Sequence, residues 1–333
     1  MISAARIPRL RTGVPVLLLA FLSLSCGIGG SDYAGGGTGG TGISTGTVSG
    51  FGSVEVNGVH FRTDNNVAPG FRTEKKVNGA DKSLEIDKDV FAVGMVVTVR
   101  HGKGDNNAQL IEYRDNLRGP VAVIASGADD TIEILGQSVV VDDAAIFASL
   151  KQGDIVEVSG YADNAGRIRA AYIFSVPPPL PPPVQEFEVK GFVSGSSSTG
   201  FRLGPLPDGS GTTVMISFPP GGPANGTYVQ VVTTDQEPVG GGISAIRIET
   251  LTARTDFPEN VAFDLEGLVT TPWTGSGNDP SFAVEGKRVQ WNDTTEFVGG
   301  GGTREDTRQT NRRVQVHGTN IGGVLSAARI IFR

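Results

Sequence analysis

The chain has 333 residues, with 48 glycines, 19 prolines, 38% hydrophobic residues and a formal net charge of -7. The acidic balance and the lack of a basic block exclude nucleic acid as a partner, because phosphate binding needs Lys and Arg. Frequent Gly and Pro, short Val-rich runs and the absence of long segments with helical period predict an all-β protein. At roughly 100–200 residues per domain, the length indicates two or three domains.

Residues 1–25 have the pattern of a signal peptide that ends at a lipidation site. Three arginines precede the apolar run 14–22, which is too short to span a bilayer. Cys26 follows the small Ser25 and is the only cysteine in the chain, so no disulfide can form within one molecule. The stretch resembles a bacterial lipoprotein signal, in which this cysteine carries lipid. An ordinary secretory signal with an incidental cysteine is the alternative.

A lipidated Cys26 would place the protein at a membrane. Acyl chains such as palmitate contribute about 0.8 kcal/mol per buried CH₂, so several chains anchor a protein stably in a lipid bilayer. Gly27 is not the Asp that favours inner-membrane retention, so we expect an outer-membrane anchor with the protein facing the periplasm or the cell surface. Cleavage before Cys26 removes three arginines and no acid, which leaves 25 Lys+Arg against 35 Asp+Glu and a net charge near -10.

The clearest β signal follows a Gly-rich tether and covers residues 46–61. Apolar and polar residues alternate in 54–56 and again in 59–61, which is the period of half-buried strands. Asn57-Gly58 lies between the two runs, and both residues tolerate positive φ, so this dipeptide predicts a two-residue hairpin turn. Glycines on either side of Phe51 predict a bulge or tight bend.

This hairpin opens a module that the chain repeats three more times. Each copy has a Gly-x-apolar strand, a pair of central strands, an apolar-x-apolar strand, and a closing strand with a small residue before Ile. Closing such a short meander removes its edges, so we predict tandem small OB-like β-barrel modules, about four. An open sandwich, or two units that share one sheet, is the alternative. The predicted organisation is a signal peptide at 1–25, a flexible tether at 26–43, module 1 at 44–115, module 2 at 116–176, a Pro-rich linker at 177–185, module 3 at 186–250 and module 4 at 260–333.

The segments between and within modules predict how they associate. The run 176–183 contains six prolines and should be a stiff polyproline spacer that divides the chain into two pairs of modules. Asp115-Asn116 is a short link, so we expect modules 1 and 2 to pack together. Residues 68–91 form a charged insertion in module 1, which we interpret as a loop or a helical turn.

No catalytic or metal-ligating constellation stands out. His60, His101 and His317 are isolated strand residues, whereas a metal site needs several convergent ligands. Asp129-Asp130 and Asp142-Asp143 are acidic pairs at strand ends without the spacing of a calcium loop. We therefore expect no cofactor, no metal site and no catalytic residue. An envelope hydrolase that acts on glycan in a cleft between modules is the alternative function.

Two tryptophans in module 4 are possible ligand-binding residues. Trp291 alternates with Val289 and is predicted to lie in the core. Trp273 follows Pro272 in a loop, and we expect it to be the better exposed of the two. OB-like barrels often bind ligands on one strand face, so Trp273 is the candidate ligand-binding residue. The negative charge favours oligosaccharide or peptide over nucleic acid.

The sequence GFGSVEVNGVHF at 50–61 resembles the opening of a bacterial family, domain of unknown function 5666, and 135–142 resembles its second-unit hairpin. The resemblance is good over 44–175 and faint over 186–333. It implies an envelope lipoprotein with repeated small β domains, and it brings no established activity. We expect a lipid-anchored, non-enzymatic protein that binds or scaffolds an envelope glycan or another envelope protein, or that acts as a spacer.

Overall fold

The computed structural model describes residues 42–102, 105–177, 185–218, 221–275 and 280–333. Nearly all regular structure in these residues is β. Among them, no helix has the length and hydropathy that a membrane span needs. The elements of modules 1 and 2 are β1 (Gly42–Phe51), β2 (Val54–Val56), β3 (Val59–Phe61), β4 (Glu74–Val77), β5 (Ala80–Asp81), α1 (Asp87–Val90), β6 (Val96–His101), β7 (Ala108–Tyr113), β8 (Leu117–Ala125), β9 (Thr131–Ile134), β10 (Gln137–Val140), α2 (Ala144–Ser149), β11 (Ile155–Ala162) and β12 (Ile168–Ser175).

Modules 3 and 4 contain the remaining strands and a 3₁₀ helix at Arg304–Arg308. A second short 3₁₀ helix, Asp64–Asn66, lies in module 1. The strands are β13 (Phe187–Ser194), β14 (Gly200–Gly204), β15 (Val214–Ser217), β16 (Tyr228–Thr233), β17 (Gly242–Ser244), β18 (Arg247–Thr250), β19 (Ala262–Thr271), β20 (Ser281–Val284), β21 (Lys287–Gln290), β22 (Glu296–Val298), β23 (Arg313–Ile321) and β24 (Val324–Phe332).

Modules 2 and 4 each close into a five-stranded barrel with the strand order of an OB fold. In module 2, β8, β9 and β10 form a meander, β10 runs parallel to β12, and β11 pairs with both β12 and β8. In module 4, β19, β20, β21, β24 and β23 repeat this order. The predictions of an all-β chain and of small OB-like barrels are confirmed.

Modules 1 and 3 are variations on the same barrel. In module 1 the link between the third and fifth strands is reduced to one parallel bridge, Arg62 to Asn107. In module 3 the fifth strand is split into β17, which pairs with β15, and β18, which pairs with β16. The insertion 68–91 is neither loop nor helical turn alone, because β4 and β5 form a hairpin in it and β4 pairs in parallel with β7.

The sheets continue from one module into another. β1 pairs in parallel with β19, and β13 pairs antiparallel with β8. One sheet therefore joins modules 1 and 4, and a second joins modules 2 and 3. The prediction that the Pro-rich linker separates modules 1 and 2 from modules 3 and 4 was wrong. The first residues of β1 pair with β19, and this pairing covers a strand edge. The composition of the linker does not reveal such pairing between distant strands.

Modules 1 and 2 are also in contact, as the short link between them predicted. The backbone N–H of Val96 donates to Ser159 Oγ at 3.1 Å, and the Tyr113 hydroxyl donates to Glu157 at 2.7 Å. Val96 also packs with Tyr161 of module 2 and Leu268 of module 4 in a small apolar cluster. Modules 1, 2 and 4 thus meet at a common junction.

The first hairpin has the predicted turn and bulge. Asn57 and Gly58 have φ values of 58° and 78°, which fits the left-handed turn that matches strand twist. The ladder between β1 and β2 shifts register between Val48 and Gly50. The side chains of Val54, Val56 and Phe61 are buried, whereas His60 is exposed.

The hairpin tips explain the recurring Gly-x-apolar mark. In module 2 a Cβ on Gly119 would lie 3.0 Å from Leu135 Cγ, and in module 4 a Cβ on Gly267 would lie 2.7 Å from Glu285 Cγ. In module 1 the amide of Asn57 occupies the equivalent place. In modules 1, 2 and 4 the glycine of the first strand therefore leaves room for the side chain at the tip of the following hairpin, whereas in module 3 the Gly204 carbonyl lies closest to it.

A glycine at a strand register shift gives a test of the fold. Gly318 lies at a register shift between β23 and β24, where an added Cβ would collide with the carbonyl oxygen of Ser326. We expect Gly318→Ala to lower the free energy of unfolding by about 1–3 kcal/mol, measured by urea denaturation. Gly52→Ala is the control, because no atom lies within 4 Å of its added Cβ. Equal effects of the two substitutions would contradict this account of the barrel.

Candidate functional site

The two tryptophans lie together at one end of module 4. Trp291 is 6% exposed and belongs to the core, as predicted. Trp273 is half-buried and is therefore the better exposed of the two, as expected, although it packs edge-on against Trp291 with 5.4 Å between ring centroids. The guanidinium groups of Arg304 and Arg308 lie 5.5 and 4.7 Å from its ring centroid. A sugar that stacked on the same face would have to displace an arginine, and the role of Trp273 in ligand binding stays a prediction.

The histidines singled out in the sequence lie apart, whereas Asp129 and Asp142 of the two acidic pairs both contact Arg169. His60 is exposed, His101 packs against Phe61, and His317 lies 3.7 Å from Asp264. Within the described ranges, no group of three potential metal ligands converges. Asp143 caps the N-terminus of α2. The predicted lipidation site, Cys26, lies outside the described residues.

Glu266 connects three modules at the junction. Its carboxylate accepts hydrogen bonds from the Tyr161 hydroxyl at 2.8 Å and from the backbone N–H and hydroxyl of Thr47 at 3.0 Å each. Arg313 Nε donates to it at 2.8 Å. Burial raises the pKa of Glu266, but Arg313 and the hydrogen bonds from Thr47 and Tyr161 outweigh burial and hold the pKa below its ordinary value.

A second ion pair also contacts the Tyr161 ring, whose centroid lies 5.4 Å from the Arg254 guanidinium carbon. Arg254 donates to Glu285 through Nε at 2.9 Å and Nη2 at 2.6 Å, and Nη2 also donates to the Gly160 carbonyl at 2.6 Å. Glu285 accepts the backbone N–H of Ala162 at 2.7 Å. Burial raises the pKa of Glu285 despite the opposing effect of Arg254. Module 4 is thereby tied to module 2 and to the segment that follows module 3.

The third ion pair joins the end of module 1 to module 3. Lys190 is almost fully buried and forms an ion pair with the fully buried carboxylate of Asp115, while Glu188 lies 3.5 Å away. Asn78 Nδ2 donates to the same Asp115 carboxylate at 3.0 Å. Burial raises the pKa of Asp115 to about 6, although Lys190 opposes the shift.

The sequence carried only a weak signal for these groups. Lys190 and Glu266 occupy the position before the Gly-x-apolar mark, where module 2 has Arg118 and module 1 has Thr45. Such a position alternates with core residues, so it is predicted to face solvent. Its burial follows from contacts between modules, which strand periodicity does not report.

A cavity of about 430 Å³ opens between modules 2 and 4 beside the junction. Asp142 is the one carboxylate in its lining, and the lining contains no histidine among the described residues. A second cavity, of about 30 Å³, lies between Lys190, Arg254 and Glu285 and is water-sized. The lining of the larger cavity is Asp142, Tyr161, Arg169, Ala170, Ala171, Leu268, Asn311 and Arg313.

Comparison with known proteins identifies the two barrels that flank this cavity. The family model described as Domain of unknown function (DUF5666) matches residues 118–173 and 266–331. The resemblance to this family is confirmed, and it extends over modules 2 and 4. The opening hairpin at 50–61 lies outside both matched segments. No curated protein matches the chain.

The pKa of Glu266 predicts how stability responds to acid. Because this pKa is lowered by folding, the ionised carboxylate stabilises the fold above its ordinary value of 4.5, and the stabilisation is lost as the pH falls through the folded pKa. We expect the difference in unfolding free energy between wild type and Glu266→Gln to shrink below pH 4.5, in urea denaturation from neutral to acidic pH. Glu249→Gln, an exposed position on β18, controls for the loss of a surface charge. A wild-type advantage that persists undiminished in acid would contradict the assignment.

Proposed function

The chain carries two domains of the DUF5666 family, and on that premise we propose that it is a lipid-anchored cell-envelope protein that binds or scaffolds a partner and is not an enzyme. The signal-like stretch at 1–25, the single Cys26 and the Gly-rich tether at 26–43 support the anchor. Acyl chains on Cys26 would insert in the outer membrane, with the modules facing the periplasm or the cell surface. An envelope glycan or another envelope protein would be the partner.

The observation that carries this proposal is a set of buried ion pairs at the junction, which hold the modules together. Glu266 and Glu285 each pair with an arginine and accept hydrogen bonds from other modules, and Asp115 of module 1 pairs with Lys190 of module 3. Removing one partner of such a pair would leave the other charge buried and unpaired, at a cost of about 3–5 kcal/mol. Modules that are held together in this way present fixed surfaces to a partner, as binding or scaffolding requires.

The lining of the larger cavity supports binding over hydrolysis. Glycoside hydrolysis uses two carboxyl groups that flank the scissile bond, about 5–10 Å apart. The described lining contains one, Asp142, and it is paired with Arg169. Trp273, half-buried at the far end of module 4, remains a candidate contact for an oligosaccharide or peptide partner.

The proposed location can be tested through the lipidation of Cys26. We expect cells that express the wild-type chain to incorporate an alkyne-tagged palmitate analogue into it and to retain it in the outer-membrane fraction. Cys26→Ala should lose the label and leave that fraction, because no other cysteine is present. Ser31→Ala, in the tether, is the control and should behave as wild type. Equal labelling of wild type and Cys26→Ala would refute the anchor.

A further inference from the structure

The cavity between modules 2 and 4 has the size and position of a ligand site. Its volume of about 430 Å³ falls within the range of about 300–1,000 Å³ typical of small-molecule pockets, which occur preferentially where domains meet. Strands β11 and β12 of module 2 form one side, and β19 and β23 of module 4 form the other. The two barrels that match the family thus share this space.

The polar groups of the lining are mainly hydrogen-bond donors. Arg313 uses Nε for Glu266 and Nη2 for Thr47, and a guanidinium has five N–H groups in all. Asn311 Oδ1 accepts the backbone N–H of Asn164 at 2.7 Å, so the amide NH₂ is left to donate. Arg169 adds a second guanidinium. The lining residues include two arginines and one aspartate, and Glu266 and Asp129 contact the two guanidinium groups from outside the lining.

These donors are held in place before any ligand arrives. Glu266 fixes Arg313 from the side of the junction. Arg169 is paired with Asp142 and lies 3.3 Å from Asp129. The backbone of Asn311 is in the left-handed region, with φ of 60°, and its N–H donates to the Val269 carbonyl at 2.8 Å. Donors that are fixed in advance reduce the entropy lost on binding.

The remaining lining is apolar and small. Leu268, Ala170 and Ala171 contribute side chains without hydrogen-bonding groups. We propose that this cavity binds a small organic carboxylate with a sugar-sized body, in which the carboxylate meets the guanidinium groups and the Asn311 amide, and a ring face meets the apolar wall. Planar guanidinium groups match carboxylate oxygens in geometry and charge. This inference rests on the proposed binding function and names its ligand class.

Isothermal titration calorimetry of the mature protein tests the proposal with three probes. Glucuronate carries a carboxylate on a sugar ring, glucose has the ring without the charge, and inorganic phosphate has the charge without the ring. We expect glucuronate to bind at least about tenfold more tightly than either control, because glucose lacks the charge that the guanidinium groups bind and phosphate lacks the ring that covers the apolar wall. No measurable binding of glucuronate, or tighter binding of glucose or phosphate, would overturn the proposal.

Two variants locate the binding within the cavity. Asn311→Gly keeps the left-handed backbone and removes the amide, and Arg169→Gln removes a guanidinium. Each should weaken glucuronate binding by about tenfold, while Arg247→Gln, an exposed arginine on β18 that pairs with Glu186, should leave it unchanged. Thermal melting identifies a variant that fails to fold, and the affinity of the other variant then decides whether glucuronate binds in the cavity. Unchanged affinity in a folded variant would overturn the site.

Loss of membrane anchoring, measured separately through Cys26, would refute the location without altering the calorimetry.

Discussion

A buried charge needs a partner, and at the junction of this protein several of the partners belong to different modules. Lys190 of module 3 depends on Asp115 at the end of module 1, and Glu266 of module 4 accepts hydrogen bonds from Thr47 and Tyr161 of modules 1 and 2. A single module would expose or orphan these groups. The pairs fix which modules meet and in what orientation, whatever their net contribution to stability, since buried ion pairs often contribute little net free energy.

Continuous sheets reinforce the same arrangement. A barrel of about 60 residues buries little apolar surface, so it is only marginally stable alone. β1 pairs with β2 and β6 within its own module and with β19 of module 4, which removes an open strand edge. The pairing of β8 with β13 does the same for modules 2 and 3. Backbone ladders therefore join modules that are distant in sequence, and side-chain ion pairs join the two sheets.

Local features of this fold could be predicted from the sequence, because they depend on neighbouring residues. Asn57-Gly58 has the backbone freedom that its turn requires, and Val54 and Val56 alternate with polar residues as a half-buried strand demands. The glycine of each Gly-x-apolar mark was recognised as a repeat. Its cause, the hairpin tip packed over it, became clear only when Leu135 and Glu285 were seen in place.

Features that depend on distant contacts could not be predicted. The linker between modules 2 and 3 indicated a division of the chain, whereas sheet pairing joins those two modules. Trp273 follows a proline in a loop, yet Arg304 and Arg308 cover its ring. Asp142 was read as part of an acidic strand end, and its role in a cavity depends on Arg169 and on module 4. Strand periodicity predicts whether a side chain faces into or out of its own barrel, but it does not predict which residues of other modules contact an outward-facing side chain.

The central claim is that four barrels form one cooperative body. Differential scanning calorimetry of residues 42–333 tests it directly, because a two-state transition has equal calorimetric and van't Hoff enthalpies. The account predicts a single transition in which the two enthalpies agree. Two or more separable transitions, or a van't Hoff enthalpy well below the calorimetric value, would show that the modules unfold independently and would contradict it.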